Sequence, residues 1–508
     1  MAGLSSLPIK KVFKGFVLIY FLSLGIAVVW PPYILSLILA APIILIGLED
    51  LIQKKQAIRR NFPVLGRMRY ILENYFREEI RQYFIEDNTN GTPISREYRS
   101  LVYQRAKNVR DTTPFGTQRN VYGDGYEWMP HSIYATKEEE IDHDPRILIG
   151  GPDCSQPYSA SLLNISAMSF GSLSQNAILA LNQGAKKGGF AHNTGEGAIS
   201  PYHEAGGGDL IWQIGTGYFG CRTEDGQFNP ETFANRAQKE QVKMIEIKLS
   251  QGAKPGHGGI LPAAKNTPEI AAIRDVPVGT DVLSPPSHST FSTPEELMTW
   301  IQQLRELSQG KPIGFKICIG HPDEFEELVK AMQKTGIAPD FITVDGAEGG
   351  TGAAPVEFTN SLGMPLRDGL DFVNDTLKDY GLRDHVKIIA SGKIISAFHI
   401  ARVLALGADL VYSGRAMMLS IGCIQARECN TNSCPVGVAT QKAELYKGLD
   451  VTDKTERAYN FHHNTIKAFV ELLSAAGLKH PSDIKRHHIL RRVSPTKISN
   501  YAELYDNN

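Results

Sequence analysis

Several things are scarce in this sequence. Six cysteines are scattered over 508 residues, too dispersed for the disulfide framework of a small secreted fold and suited to a reducing compartment. Lys and Arg number 53 against 54 Asp and Glu, a formal net charge of −1, so no basic excess supports nucleic-acid binding. There is no internal repeat at the ~20–50-residue periods of solenoids and propellers, and no low-complexity tract. A nicotinamide module is also missing. The one candidate, GTGYFG at 215–220, opens no helix and reads as a turn. The length leaves room for two or three average domains, or for one barrel of about 250 residues with extensions.

Long uncharged runs are present at the N-terminus. Phe16–Trp30 and Tyr33–Leu48 carry no charge and are separated by Pro31-Pro32. Each is slightly short of the ~20 residues that cross a bilayer. Adding 12–15, with Lys14 snorkelling towards the headgroups, extends the first to a full span. Lys10, Lys11 and Lys14 precede the pair, and Lys54, Lys55, Arg59 and Arg60 follow it. The positive-inside rule puts both flanks in the cytoplasm, with Trp30 and Tyr33 at the far interface. Residues 1–60 therefore read as a transmembrane helical hairpin whose catalytic domain faces the cytoplasm. The second apolar run and the lack of a small-residue cleavage site argue against a signal peptide. Residues 61–155 read as a lead-in extension, with an amphipathic helix over 67–84 and an aromatic-rich, ordered stretch over 103–129.

From about residue 156 to 445, short β-rich runs alternate with helices. The runs are 162–170, 189–195, 209–215, 244–250, 313–319, 341–346, 386–392 and 410–414. Helices are predicted over 174–187, 293–309, 323–336 and 396–407, with Thr293 and Ser396 as N-caps and Glu296 completing a capping box. Eight strands each leading to helix predict an α/β fold of the (β/α)8 TIM-barrel type, with its chemistry on the loops after the strands. Residues 446–508 read as a helical tail. His462/His463 and His487/His488 are adjacent pairs that diverge on a helix, so they suit packing better than a metal. The basic stretch 486–493 is a candidate for contact with an anionic membrane surface.

The loops carry the candidate chemistry. SAMSFGS (166–172) offers small residues for close approach to a flat ring, and NTGEG (193–197) frames Glu196 with glycine. Lys248, Lys254 and His257 follow on EIKLSQGAKPGHGG. Lys316 lies inside the apolar run IGFKICI, where a lone lysine needs an anionic partner such as an electron-rich flavin edge or a carboxylate. Glycine turns at 345–355, 391–393 and 413–415 expose backbone N–H groups where barrels commonly hold phosphate. Finally, Cys423, Cys429 and Cys434 stand in a C-x5-C-x4-C spacing followed by Pro435. A zinc site would want a fourth ligand, and no histidine or further cysteine lies near. A cluster held by three thiolates fits better.

Taken in order, SAMSFGS, NTGEG, EIKLSQGAKPG, LSPPSH, GAEGGTGAAP and GCIQARECNTNSCPVGVATQ resemble the FMN-binding synthase domain of glutamate synthase over roughly residues 160–445. The resemblance implies FMN on the barrel and a three-iron, four-sulfur (3Fe-4S) cluster on Cys423, Cys429 and Cys434. It implies that ammonia and 2-oxoglutarate form an imine to which reduced FMN delivers hydride. It puts Ala167, Met168 and Ser169 under the flavin ring and Lys316 at its N1/C2 edge. Gly349, Gly350, Thr351, Gly392, Lys393, Gly414 and Arg415 would surround ribityl and phosphate groups. Gln251 and Lys254 would hold the oxo-acid carboxylates, and Glu196 would face the amine; Lys316, Glu196 and Lys254 are the catalytic candidates. The departures also matter. Residue 2 is Ala where large glutamate synthases have a nucleophilic N-terminal cysteine. The expectation is therefore a chain using free ammonia, another amine or a partner glutaminase, with electrons from a separate reductase, ferredoxin or the quinone pool. The family's GEGG reads GHGG here, and its DGG reads Ser391-Gly392-Lys393. Alternatives are a related flavoenzyme acting on an N-substituted glutamate or other amino or oxo acid, and a non-catalytic membrane scaffold on a degenerate barrel.

Overall fold

The computed structural model describes residues 9–109 and 112–506. The first eight residues of the predicted hairpin and the last two of the predicted tail lie outside the described residues. The chain divides into two units, Met1–Arg96 and Glu97–Asn508.

In the first unit, helices α1 (Ile9–Val29) and α2 (Ile34–Ile52) are joined by Trp30 and a short 3-10 turn, Pro31–Tyr33. The two prolines cannot donate backbone hydrogen bonds, so they end one helix and open the next. The helices pack closely because Gly47 has no side chain: a Cβ there would lie 1.9 Å from Phe13 Cζ. Both are long and apolar enough to cross a membrane, and both start or end beyond the uncharged runs, taking in Lys10, Lys11 and Lys14 on α1. Most of their large apolar side chains are exposed, among them Leu18, Leu22, Leu39 and Leu45. At the end of α2 the buried Asp50 accepts hydrogen bonds from Arg59 Nε at 2.7 Å and Val64 N at 2.9 Å, and Arg67 Nε reaches it at 2.9 Å. The helix expected over 67–84 forms, but it alternates α-turns with π-turns at Leu72–Phe76 and Arg81–Ile85.

The second unit is built on a closed barrel of eight parallel strands. In chain order these are β1 (Leu163–Ile165), β2 (His192–Asn193), β3 (Leu210–Ile214), β4 (Val242–Lys248), β5 (Ile313–Ile317), β6 (Phe341–Asp345), β7 (Lys387–Ser391) and β8 (Leu410–Ser413). Each pairs with its sequence neighbours, and β8 closes on β1 through Tyr412 opposite Asn164. The barrel lumen holds a buried carboxylate: Glu246 on β4 accepts from Asn193 at 2.8 Å, Gln213 at 2.6 Å and Thr343 at 2.6 Å. Four strands are thereby tied through one residue, each donor satisfying a charge that would be costly alone.

Outside the barrel, helix α3 (Gln175–Gly188) is capped by Ser174, whose hydroxyl accepts from Ala177 N. The capping box at Thr293 and the cap at Ser396 form as the sequence predicts. Helix α4 (Val451–Ala475) lies along α3, and Gly184 allows the approach: a Cβ there would meet Ala458 Cβ at 2.7 Å. His462 is buried in this contact, stacked on Phe190 at 4.0 Å and 2.9 Å from Ser161 Oγ. The lead-in helix Arg96–Lys107 packs on α4, with Asn460 and Asn464 donating to its carbonyls. The tail departs from the helical expectation. Leu490–Ser494 is a strand between Glu127–Trp128 and Lys497–Asn500. Before the strand Arg486 pairs with Asp371 and Asp375, and on it Arg492 donates to Val121 O, while Arg491 is 39% exposed.

Candidate active site

All the predicted site residues of the barrel sit at or just beyond the C-terminal ends of the strands. The loop after β1 is pressed into the mouth by short contacts. Ser166 N donates to Ser413 O at 3.0 Å, and Met168 N to Asn193 O at 3.0 Å. His203, buried and set by the capping box of Ser200, lies 3.0 Å from Met168 O through Nε2. Gly195 takes a φ of +62°, and a Cβ there would crowd Ser169 N at 3.1 Å. Glycine is required on its side of this contact, and Ala167, Met168 and Ser169 form a shelf held against it.

Lys316 on β5 lies beside Lys248 on β4 in register. Both are buried, and each has its own carboxylate. Lys316 Nζ is 3.2 Å from Asp345 Oδ2, and Lys248 Nζ is 2.9 Å from Glu196 Oε1. Burial alone would lower the Lys316 pKa, but Asp345 and Glu246 outweigh it and hold the ammonium above its usual value. Asp345 also accepts from Gly252 N at 2.8 Å, so the partner of Lys316 anchors the loop after β4.

Glu196 is the centre of a second cluster. Burial pushes its pKa up, but Lys248, Lys254 and Arg274 pull it below the usual carboxylate range. Gly215 and Gly259 make its seat, since a Cβ at either would come within 2.7 Å or 2.6 Å of its carboxylate oxygens. Lys254 is buried and donates to Gly258 O at 2.6 Å; burial lowers its pKa to about 8, against the opposing pull of Glu196. Arg274 is buried too, donates to Phe170 O at 3.1 Å, lies 5.3 Å from the centre of the Phe219 ring, and leaves its Nε without a partner. One carboxylate, a fifth exposed, thus has three cations acting on it, a net positive site suited to a dianion. Gln251 opens the turn that carries Lys254, with its carbonyl accepting from Lys254 N at 3.1 Å. His257 lies at the rim, with its ring 5.4 Å from that of Phe358. Arg274 was invisible to sequence reasoning: it ends a helix of the β4–β5 connection, Pro268–Arg274, remote in sequence from Glu196 and in no recognisable motif.

Across the mouth, Gly349, Gly350 and Thr351 follow β6, Gly392 and Lys393 follow β7, and Gly414 and Arg415 follow β8. Arg415 Nη2 donates to Glu348 O at 2.7 Å, and a Cβ on Gly350 would press on Arg415 Nη1 at 3.1 Å. A Cβ on Gly414 would meet Met168 Cε at 3.2 Å. Lys393 is exposed as a residue, yet desolvation of its ammonium and the Arg415 charge hold its pKa below the usual lysine value. Two cations over bare glycine backbone form a cradle that fits a phosphate, and the shelf at Ala167–Ser169 with the Lys316 ammonium fits the ring and polar edge of FMN.

The cysteines lie on one loop behind this cradle. All three are free, and all are buried or half-buried. Burial pushes the Cys423 thiol up to about 12, with Cys429 and Cys434 adding to the shift. Among the described residues no three His, Cys, Asp or Glu side chains gather round a single ion. Three cysteine thiols on one loop are the donor type that an iron–sulfur cluster takes, and they fall one ligand short of a closed zinc site. The loop is stitched to its surroundings. Tyr103 OH donates to Cys423 O at 2.7 Å, and Gln441 Nε2 to Gly171 O at 3.0 Å and Leu173 O at 2.9 Å. A Cβ on Gly352 would meet Cys429 Cβ at 2.9 Å. The cysteine loop therefore touches both the shelf after β1 and the glycine loop after β6.

Residues 138–479 match the family model described as a conserved region in glutamate synthase. The chain is 39% identical over 510 residues to the glutamate synthase large subunit-like protein YerD of Bacillus subtilis (strain 168), an alignment covering 92% of this chain and 96% of that protein. It is 37% identical over 319 residues to the archaeal glutamate synthase [NADPH] of Methanocaldococcus jannaschii, covering 62% of this chain and 58% of that one. With the ferredoxin-dependent glutamate synthase of Pyropia yezoensis it shares 34% identity over 285 residues, 55% of this chain and 17% of the relative. It thus spans nearly all of the first relative, less than two thirds of the second, and a small part of the third.

Proposed function

The chain belongs to the glutamate synthase family of oxidoreductases, and from that membership we propose that it reductively aminates 2-oxoglutarate to glutamate with FMN and a 3Fe-4S cluster. The observation that carries this reading is the buried cluster of Glu196 with Lys248, Lys254 and Arg274, a dianion site beside a lysine poised for a flavin edge. FMN, when bound, supplies hydride to the carbon of the imine that ammonia forms with the oxo acid by loss of water.

The residues of this chain do the rest. Lys254, with Arg274 and the amide of Gln251, holds the substrate carboxylates and fixes the face presented to the ring. Glu196 stays ionised and stabilises a proton on the imine nitrogen, which makes its carbon the better hydride acceptor. Lys316 neutralises charge that builds at the flavin edge. Gly349, Gly350, Thr351, Gly392 and Gly414, with Lys393 and Arg415, take the ribityl and phosphate groups. Cys423, Cys429 and Cys434 would ligate the cluster, which when bound would supply an electron relay from a separate donor. Ferredoxin, a reductase and the quinone pool are the candidate donors.

The hairpin of α1 and α2 anchors the enzyme in a membrane, with the barrel in the cytoplasm. In this reading residues 1–60 are the anchor, 61–155 the lead-in, 156–445 the catalytic barrel and 446–508 the tail. Ammonia arrives free or from a partner glutaminase. His257 and Phe358 at the rim favour one second reading, a nitrogen donor or product with an apolar N-substituent. The test is anaerobic: protein holding FMN and iron is photoreduced, then mixed with 2-oxoglutarate and either ammonia or simple amines. Reoxidation of the flavin with formation of glutamate supports the main reading. An N-alkyl product formed faster supports the second. A flavin left reduced by every mixture sinks both.

A further inference from the structure

Lys265 sits on a 3-10 turn, Ala263–Lys265, in the long connection between β4 and β5. No local pattern marks it, but it bridges two loops of the site. The side chain is buried, with only 2% exposure. Among the described residues no carboxylate pairs with it, and the groups whose charge acts on it are the thiols of Cys429 and Cys434. Its ammonium donates to two carbonyls from different loops: Ser172 O at 2.9 Å, on the loop after β1, and Cys429 O at 2.7 Å. The neighbouring Ala264 carbonyl accepts from Asn432 Nδ2 at 2.7 Å, a second tie from the same turn to the cysteine loop.

A buried ammonium without a counter-ion is costly. Lys311 bears the same cost on two carbonyls, Ala237 O at 2.6 Å and Lys239 O at 2.8 Å, but Lys265 differs in being bonded to a cysteine of the loop, so an anion held there would stabilise it. On that loop three thiolates and an inorganic cluster would bring net negative charge. From these contacts we propose that Lys265 is the counter-cation of the cluster: it raises the cluster's reduction potential and clamps the Cys429 segment to the loop that carries the flavin shelf. This rests on the cofactor reading above but concerns a residue outside the ligand set and the flavin cradle. Reduction adds one electron to the cluster, and the added negative charge is stabilised by a nearby fixed cation. Removing the cation disfavours the reduced form, so the potential falls. Lys265 acts here as a positioning and tuning residue, because it touches neither substrate nor flavin.

The experiment uses the full chain, purified without air. Iron and FMN are quantified, and the cluster is titrated potentiometrically with electron paramagnetic resonance as the readout. The variants are Lys265→Gln, which keeps a donor but no charge, and Lys265→Met, which keeps neither. The expected result is a lower cluster potential in both, outside the scatter of replicate titrations, with FMN content unchanged. Loss of iron from both with FMN retained supports the clamp directly. Wild-type iron content together with wild-type potential in either neutral variant overturns the proposal. The unsubstituted protein separates the two levels of inference: if it holds FMN but no iron, the cofactor reading has failed before any variant is tested.

Discussion

Glu196 is held ionised by three cations, and it raises the pKa of Lys254 and Arg274 in turn. Replacing it with Gln removes the charge that stabilises a protonated imine nitrogen while leaving the flavin cradle untouched. The expected outcome for Glu196→Gln is a slower reoxidation of reduced flavin by 2-oxoglutarate and ammonia, on the order of 10²-fold. Photoreduction of the flavin should be unchanged, and stopped-flow absorbance reads both halves. Lys254 gives a pH dependence of known sign. Burial lowers its pKa to about 8, so its charge is present below that value and lost above it. Binding of 2-oxoglutarate to the oxidised enzyme should weaken as pH rises through about 8, approaching about tenfold per unit. Glu196 raises the Lys254 pKa, so in Glu196→Gln the weakening should begin at lower pH. Perturbation of the flavin spectrum measures this without adding ammonia. A flat profile in both proteins would remove Lys254 from the carboxylate site.

Among the elements, the C-terminal hairpin shows how much one buried carboxylate can organise. Glu127, on the short strand Glu127–Trp128, accepts from Arg402 at 2.9 Å and Tyr501 OH at 2.8 Å, and also pairs with Arg367. It ties the lead-in and the tail to two barrel helices. Breaking a buried pair of this kind costs about 3–5 kcal/mol, so Glu127→Gln should lower the denaturant midpoint while leaving the FMN spectrum native-like. Burial raises the Glu127 pKa, but the Arg402 and Arg367 charges outweigh it and hold it below the usual value. Its contribution is therefore full above the ordinary glutamate pKa and fades as pH falls through the depressed one. Chemical denaturation at descending pH should show the wild-type margin over Glu127→Gln shrinking only in acid.

The same elements show what the sequence made legible. All eight strand runs form, because β-rich segments bounded by glycine are a local signal, and the capping box at Thr293 is equally local. The helix Leu366–Asp379 between β6 and β7 was not anticipated, although Leu366, Leu370, Val373 and Leu377 are buried at helical spacing. Gly369 within it and Pro365 before it weaken the local helix signal. RHHILRRV was read as part of a helical tail, but its register is set by Glu127–Trp128, a partner remote in the chain. Arg274 and Lys265 escaped for the same reason. Their roles are defined by what lies across the fold, and a lone arginine or lysine carries no spacing that says so.

At the scale of the whole molecule, the helical hairpin and the barrel unit differ in what they expose. The barrel unit buries its apolar side chains and satisfies its lumen carboxylate internally. The hairpin does the reverse, with Leu18, Leu22, Leu39 and Leu45 each more than three-fifths exposed. Exposed aliphatic surface of this extent is stable in lipid and a liability in water. Charge supplies the orientation: Lys10, Lys11 and Lys14 lie at one end of α1, and Lys54, Lys55, Arg59 and Arg60 lie just beyond the end of α2. In the proposed membrane reading both ends of the pair lie on the cytoplasmic side, and the Pro31–Tyr33 turn on the other. Two consequences can be checked on intact spheroplasts. An epitope inserted between Pro31 and Pro32 should be reached by an impermeant reagent from outside. The same epitope at the C-terminus should be reached only after the membrane is opened. If both are protected while the protein resists alkaline extraction, the hairpin enters the bilayer without crossing it. If the protein is released by alkali, α1 and α2 are not membrane spans, and their exposed faces must be covered by protein.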